Sequence, residues 1–275
     1  MRDVIAAAAD ELAAAGVASA RVDAELLAAH VAGTSRGRLA LTAPDSDFLA
    51  RYRQLIGQRA RRIPLQHLTG TAAFGPVALD VGPGVFIPRP ETEVLLEWAM
   101  ALRLPEDPVI VDLCTGSGAL ALALATHRPR ARVIAVDDSE QALTYARRNV
   151  AGRRVELIRA DVTQPGLLSE LDASVDLLVA NPPYIPDGTP MEPEVAQHDP
   201  SHALFGGPDG MAVIAPIVEA AARLLRPGGF CAVEHDDTTS RRTVEVFSDS
   251  GLFHDITPRH DWTGRPRYVT AVRSR

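Results

Sequence analysis

The stretch Val109-Ile110-Val111-Asp112-Leu113-Cys114-Thr115-Gly116-Ser117-Gly118 decides the fold. Its β-branched opening makes a buried strand, its two glycines turn the chain sharply, and the apolar run that follows has helix length. The same alternation repeats outward. A helix at 91–103 precedes the strand at 109–113, and a helix at 118–127 leads to a strand at 132–137. A helix capped by Ser139 runs to about 150, and strands follow at 155–160 and 175–180. A helix at 210–226, a Pro227-Gly228-Gly229 turn, a strand at 230–235, a helix near 238–250 and two more strands complete the chain. Apolar strands with helix-length spacers form a parallel sheet covered on both faces. Ligands of such sheets sit beyond the carboxyl ends of the strands, which is where chemistry is to be sought.

Ahead of residue 91 the texture differs. Residues 1–69 read as a small helical domain, with Asp3 capping a helix that ends at Gly16, a second helix over Val22–Ala32, and a third over Asp45–Arg62 stopped by Pro64. Short β-like pieces broken by Gly75, Pro76, Gly82, Pro83 and Gly84 make 70–90 a hairpin connector, leaving 91–275 as the main α/β domain.

Composition excludes several classes. Of 275 residues, 46% are hydrophobic and 23% charged, a globular balance rather than a disordered one. All 28 cations are arginine, so no P-loop lysine, kinase strand lysine or Schiff-base lysine exists. The net charge of −7 disfavours a protein that coats nucleic acid or anionic lipid. Asp10 and Glu11 interrupt the first apolar run, which removes a signal peptide, and no apolar run is long enough to span a bilayer. The expectation is a soluble, cytoplasmic protein with no membrane partner, and nothing demands more than a monomer. Cys114 and Cys231 cannot build a disulfide framework or a zinc site. In the sheet order 3-2-1-4-5 the strands they follow are separated by another, so both are expected to stay unpaired.

Three strand ends carry one kind of chemistry. Gly116 and Gly118 let backbone approach a ligand closely, and Asp137 closes the next strand, where a carboxylate can accept from both ribose hydroxyls. Asp161 stands at the third strand end, where an adenine amino group could be met. Position 121 is Ala where a dinucleotide fingerprint prefers glycine, and no cation lies near to hold a pyrophosphate. An adenosine ligand without phosphates fits this acid-lined pocket, and S-adenosylmethionine, whose sulfonium is positive, meets the description.

At the fourth strand end stands Asn181-Pro182-Pro183-Tyr184. The proline pair forces an extended path, so the Asn181 side chain and the Pro182 carbonyl project in set directions. Both are acceptors, as an NH₂ group needs to be held in one orientation, and Tyr184 adds a flat face. Together they describe a catalytic clamp for a planar amide or a base amine. Such a nitrogen is a poor nucleophile, and holding it in line with a methyl sulfonium is catalysis by orientation and preorganised electrostatics. The Glu234-His235-Asp236-Asp237 run suggests a metal, but neighbours in an extended chain point to opposite sides, and no metal is expected. Five arginines, Arg51, Arg53, Arg59, Arg61 and Arg62, make a solvated face or a docking surface for a partner.

These residues resemble the release factor glutamine methyltransferases, the HemK/PrmC family, over nearly the whole chain. Phe86-Ile87-Pro88-Arg89-Pro90-Glu91-Thr92-Glu93 is similar to that family's connector signature, Asp112 to Gly118 to its cofactor loop, and Asn181 to Tyr184 to its substrate clamp. Gly264-Arg265-Pro266-Arg267-Tyr268 is similar to its terminal strand entry. The resemblance implies a seven-stranded, Rossmann-like methyltransferase domain joined by a β-hairpin to an N-terminal helical domain; because a clamp for one amide cannot select one glutamine, that domain is expected to dock the substrate. It implies methyl transfer to the glutamine amide of the Gly-Gly-Gln loop in class I release factors 1 and 2. Carried over by position, it places the cofactor against Cys114, Thr115, Gly116, Ser117, Gly118, Asp137, Val162 and Asn181, beside the Asp161 already read at the third strand end. It places the glutamine against Asn181, Pro182, Pro183 and Tyr184, with Phe86 and Arg89 nearby. Cys114 stands where many members have glycine, Val162 where an aromatic is frequent, and Asp236 where glycine is usual. The same tetrapeptide occurs in N6-adenine methyltransferases of DNA and RNA. Those need a basic track for phosphates, whereas residues 71–275 carry 19 Arg against 28 acids, so direct nucleic acid binding is not expected.

Overall fold

The computed structural model describes residues 1–275. The chain folds into two compact units. The first comprises Met1–Thr71, Val81–Pro83 and Met191–His198. Its helices are α1 (Arg2–Ala14), α2 (Ala20–Val31), α3 (Ser46–Ala60) and the short α4 (Leu65–Thr69), the last not expected from the sequence. Asp3 does not cap α1; Met1 holds that position, and the Asp3 carboxylate lies in the first turn, where the helix dipole favours it. Asp45 does cap α3, accepting from the Phe48 amide at 2.8 Å.

The core of this unit is thin because α1 and α2 offer mainly alanines. Leu12, Leu27, Phe48, Tyr52 and Ile56 supply most of its volume, and the Tyr52 hydroxyl donates to the Ala24 carbonyl at 2.9 Å. One arginine shares that interior. Arg59 follows Tyr52 and Ile56 at helical spacing and is only 4% exposed. It donates to Asp23 at 2.7 Å and to Glu194 at 2.9 Å, and Arg62 reaches the same Glu194 oxygen at 2.7 Å. A buried guanidinium is tolerable only when paired in this way. Of the five arginines read as one surface, Arg59 is therefore internal and Arg62 is engaged, while Arg51, Arg53 and Arg61 remain exposed.

The second unit holds the main sheet. A two-stranded hairpin, β1 (Thr71–Phe74) and β2 (Val77–Asp80), precedes α5 (Pro90–Ala101). There follow β3 (Val109–Leu113), α6 (Ala119–His127), β4 (Arg132–Asp137), α7 (Glu140–Asn149), β5 (Val155–Arg159) and β6 (Val175–Ala180). After β6 the chain passes through α8 (Pro193–His198) to α9 (Ile214–Leu224), β7 (Leu225–Glu234), α10 (Ser240–Asp249), β8 (Phe253–His260) and β9 (Pro266–Arg273). The seven strands lie in the order β5-β4-β3-β6-β7-β9-β8, parallel except for β9, which runs antiparallel to both neighbours. This is the Rossmann-like methyltransferase sheet.

Two local expectations are corrected. The helix expected from 210 begins only at Ile214, because Gly210 takes a left-handed φ of 74°. The Pro227-Gly229 segment is not a turn but a bulge inside β7, where the pairing with β6 shifts register between Val175 and Leu177. Both cysteines are free, Cys231 sitting in β7 opposite Leu178. No helix is long and apolar enough to cross a membrane.

Candidate active site

Register brings the functional residues into one row. Leu113 pairs with Val136 and with Ala180, and Ala180 pairs with Val233. The residue after each, Asp137, Cys114, Asn181 and Glu234, therefore stands on the same rung at the carboxyl edge, with neighbouring strands about 4.8 Å apart.

The loop after β3 is held from beneath by two carboxylates. Asp112 accepts the Thr115 hydroxyl at 2.5 Å and the Ala121 amide at 3.1 Å. Asp137 accepts the Gly116 amide at 2.8 Å through one oxygen and the Ser139 amide at 3.0 Å through the other. Burial pushes Asp112 up to about 7 against those two hydrogen bonds, and burial also raises Asp137. Asn149 ties the loop to the hairpin, donating to the carbonyls of Ser117 and Asp80 at 2.8 and 3.0 Å. Cys114 adopts φ 60°, a left-handed conformation that explains why glycine suits this position, and its side chain packs on the sheet core.

The loop has the properties of a nucleoside cradle. A Cβ on Gly116 would meet nothing within 4 Å, so backbone there is open to close approach. Ser117 Oγ and Asp112 Oδ1 are buried without a protein partner, as groups awaiting a ligand rich in hydroxyls and amines would be. Burial raises the Cys114 thiol first, and Asp137, Asp112, Asp138 and Asp161 push it further, so four carboxyl groups and no cation act on this loop's first residue. That field suits a sulfonium and repels a pyrophosphate. Asp161 is half-buried; its Oδ1 accepts the Thr163 hydroxyl and amide at 2.7 and 2.8 Å, which hold its carboxyl below the usual range. Val162 is buried, with its side chain in the core.

At the next strand end the Asn181 amide nitrogen donates to Thr92 Oγ1 at 3.0 Å. The carbonyl oxygen of that amide is thereby left as the end free to accept. The Tyr184 hydroxyl donates to Glu234 Oε1 at 2.9 Å, and its ring packs on the sheet core. Burial drives Glu234 up to about 7, opposed by the hydroxyls of Thr92 and Tyr184 and by Arg267. Phe86 and Arg89 meet each other, the guanidinium lying 5.0 Å from the ring centre. Arg89 also pairs with the buried Asp199, so its charge is not free. The segment Glu234–Asp237 is dispersed: Glu234 faces Tyr184, His235 Nδ1 bonds the Asp236 carbonyl, and Asp236 caps a 3₁₀ turn through the Thr238 amide.

The family model described as the PrmC N-terminal domain matches residues 3–70, and that of the methyltransferase small domain matches residues 77–198. A release factor glutamine methyltransferase of Mycolicibacterium smegmatis is 69% identical over 99% of this chain and 98% of its own length. The chain belongs to the release factor glutamine methyltransferase family. A relative with the same name from Mycobacterium tuberculosis H37Rv is 64% identical over 99% of this chain and 91% of its own. Among solved structures, a ribosomal protein L11 methylase of Lactobacillus delbrueckii aligns with TM-score 0.50 at 21% identity. It covers 72% of this chain and 84% of that one, a likeness of fold.

Within the family frame, Thr92, Asp112 and Glu234 lie in stretches already singled out from the sequence, but none of them was named as a site residue. A signal existed for two of them, since Asp112 and Glu234 are acids in otherwise apolar strands, as is Asp137. Asp137→Ala should weaken S-adenosylmethionine binding by about 1.5–3 kcal/mol, because a charged acceptor is lost and the Gly116 amide loses its anchor. Calorimetric titration checks this, and unchanged affinity would place the nucleoside elsewhere.

Proposed function

We propose that this chain transfers a methyl group from S-adenosylmethionine to the side-chain amide nitrogen (N5) of the glutamine in the Gly-Gly-Gln motif of class I release factors 1 and 2. The observation that carries the reading is the Asn181 amide, anchored through its nitrogen on Thr92 so that its oxygen is the free acceptor. With the Pro182 carbonyl it makes a pair of acceptors for one NH₂ group. Such a pair polarises both N–H bonds and fixes the nitrogen lone pair in one direction, without a general base. Cys114 to Gly118 would cradle the cofactor, Asp137 would take its ribose hydroxyls, and Asp161 with Val162 would border its adenine. When bound, the cofactor supplies an electrophilic methyl carbon on a positive sulfonium, for which the surrounding carboxylates provide a matching field.

A clamp for one amide cannot select one glutamine among many, so recognition needs a second contact. Residues 1–70 carry 9 Arg and 7 acids, against a net −9 for the remainder, and the exposed Arg51, Arg53 and Arg61 suit an acidic surface of the substrate protein. Mass spectrometry after incubation with intact release factor, a Gly-Gly-Gln peptide and an adenine-containing oligonucleotide tests the reading. One added methyl on the glutamine supports it; methylated adenine with unmodified release factor would replace it. Replacing Arg51, Arg53 and Arg61 together by serine should slow methylation of the intact factor roughly tenfold at low salt and leave the peptide reaction unchanged. An equal effect on both substrates would remove the docking role.

A further inference from the structure

The large apolar side chains left exposed on this chain are mostly aliphatic and scattered, which is ordinary for a protein surface. Trp262 differs in kind and in place. It is 60% exposed, although tryptophan has more apolar surface to hide than any other residue. It stands in the turn between β8 and β9, residues 261–265, and that turn is built to hold one shape. The buried Asp261 carboxylate accepts the Thr263 amide and hydroxyl at 2.8 and 2.6 Å and the Arg265 amide at 3.1 Å, all through one oxygen. Its other oxygen meets Arg267 at 3.4 Å, and the Asp261 amide closes the turn on the Arg265 carbonyl at 2.9 Å. The one acid between 259 and 265 is thus spent inside the turn. What the turn leaves exposed is Trp262 and Arg265, beside Arg259 and His260 at the end of β8.

Strand direction puts this turn on the catalytic side of the sheet. β9 runs antiparallel to β7 and begins where β7 ends: Tyr268 pairs with Glu234, and the Arg267 carbonyl accepts the His235 amide at 2.9 Å. Glu234 shares its rung with Asn181, so residues 261–267 project past the carboxyl edge on the flank of the clamp. Two strand spacings separate Tyr268 from Asn181, about 10 Å. Trp262 lies one strand further out and three residues beyond Arg259, the partner of Tyr268, hence on the order of 15–20 Å from Asn181. A protein interface of about 800 Å² per partner has a radius of about 16 Å, so a protein seated on the clamp reaches this turn. A three-residue peptide spans at most about 10 Å and does not.

We propose that Trp262 is a docking contact for the release factor protein, which meets the tryptophan and the flanking Arg259 and Arg265 with an apolar patch rimmed by carboxylates outside its Gly-Gly-Gln loop. The proposal rests on the substrate reading above and adds a contact within the methyltransferase unit itself. Tryptophan and arginine are the residues that most often carry the energy of an interface. A turn already fixed by Asp261 loses little freedom on association, so the contact adds affinity without an ordering cost.

The test uses the full chain and measures kcat, KM and cofactor Kd for Trp262→Ser, Trp262→Phe and Arg265→Ser, with intact release factor and with a Gly-Gly-Gln peptide. Trp262→Ser should raise the KM for intact factor at least about tenfold, with kcat and cofactor Kd within about twofold and the peptide reaction unchanged. Trp262→Phe should recover part of the loss, and Arg265→Ser should raise KM about threefold at low salt and not at high salt. The chain has two tryptophans, so labelling with 5-fluorotryptophan gives two fluorine resonances. The resonance missing in Trp262→Phe should shift when unlabelled release factor is added. Three results would each overturn the proposal: an unchanged KM for intact factor in Trp262→Ser, an equal rise for the peptide, or a Trp262 resonance that stays in place. A parent chain that sediments as a dimer and a serine variant that sediments as a monomer, with KM unchanged, would assign the turn to a second copy of this chain instead. Glutamine methylation at the parent KM by Trp262→Ser removes the docking contact alone. No glutamine methylation by the parent chain removes the substrate reading and the contact together.

Discussion

Asn181→Ala is expected to abolish methyl transfer, with kcat down at least about a hundredfold and cofactor affinity within about tenfold of the parent. The side chain is asked to hold the acceptor nitrogen through its amide oxygen, and losing one buried acceptor costs about 1–3 kcal/mol before alignment is considered. Alignment is the larger loss, because orientation of two reactants supplies roughly 7–11 kcal/mol of a barrier and an unclamped amide samples many poses. The variant also leaves Thr92 Oγ1 without its 3.0 Å donor. Single-turnover kinetics beside calorimetric cofactor titration separates the two effects. Turnover near the parent rate would end the clamp mechanism.

The second large effect is expected at Gly210, which sequence reasoning took for the start of a helix. Gly210 adopts φ 74°, and a Cβ built on it would lie 2.3 Å from the Tyr184 carbonyl oxygen, a backbone atom that cannot turn aside. Gly206 is pressed in the same way, its Cβ position 2.5 Å from the Pro183 carbonyl oxygen, and its amide donates to the Ile185 carbonyl at 2.9 Å. The segment 206–210 thus buttresses the exit of the clamp. Gly210→Ala should cost about 1–2 kcal/mol for the left-handed backbone and about 1–3 kcal/mol for overpacking. It should also lower kcat about tenfold or more by displacing Tyr184. Gly188→Ala is the control: its φ is 80°, but a Cβ there meets nothing within 4 Å, so it carries the backbone cost alone. Equal melting temperatures and equal rates for the two variants would show that the loop yields and that the clamp is not held from this side.

Much of the sheet is legible in the sequence. The strands at 109–113, 132–137 and 175–180 fall where the apolar runs place them, and Ser139 caps α7 by accepting the Ala142 amide. These are local signals: a buried parallel strand must be apolar on both faces, and a capping hydroxyl needs only its own helix. The glycine loop and the proline pair were legible for the same reason, since both act through their own backbone. Errors came where a local signal met a distant contact. Pro227-Gly229 has turn chemistry, yet pairing with β6 carries β7 through it as a bulge. Arg59 reads as one of a row of solvated cations, yet it shares a helix face with Tyr52 and Ile56 and is buried between Asp23 and Glu194.

By itself the sequence determined an α/β sheet with a nucleoside-type loop at one strand end and an amide clamp at another, because propensity, periodicity and turn chemistry are properties of short segments. Tertiary structure alone decided which atoms those motifs present. Thr92 meets Asn181 across 89 residues, and Tyr184 meets Glu234 across 50. Which groups Asn181 and Tyr184 meet depends on strand order and register. A hydrogen bond's direction belongs to the pair of groups that share it, and no residue carries that information alone.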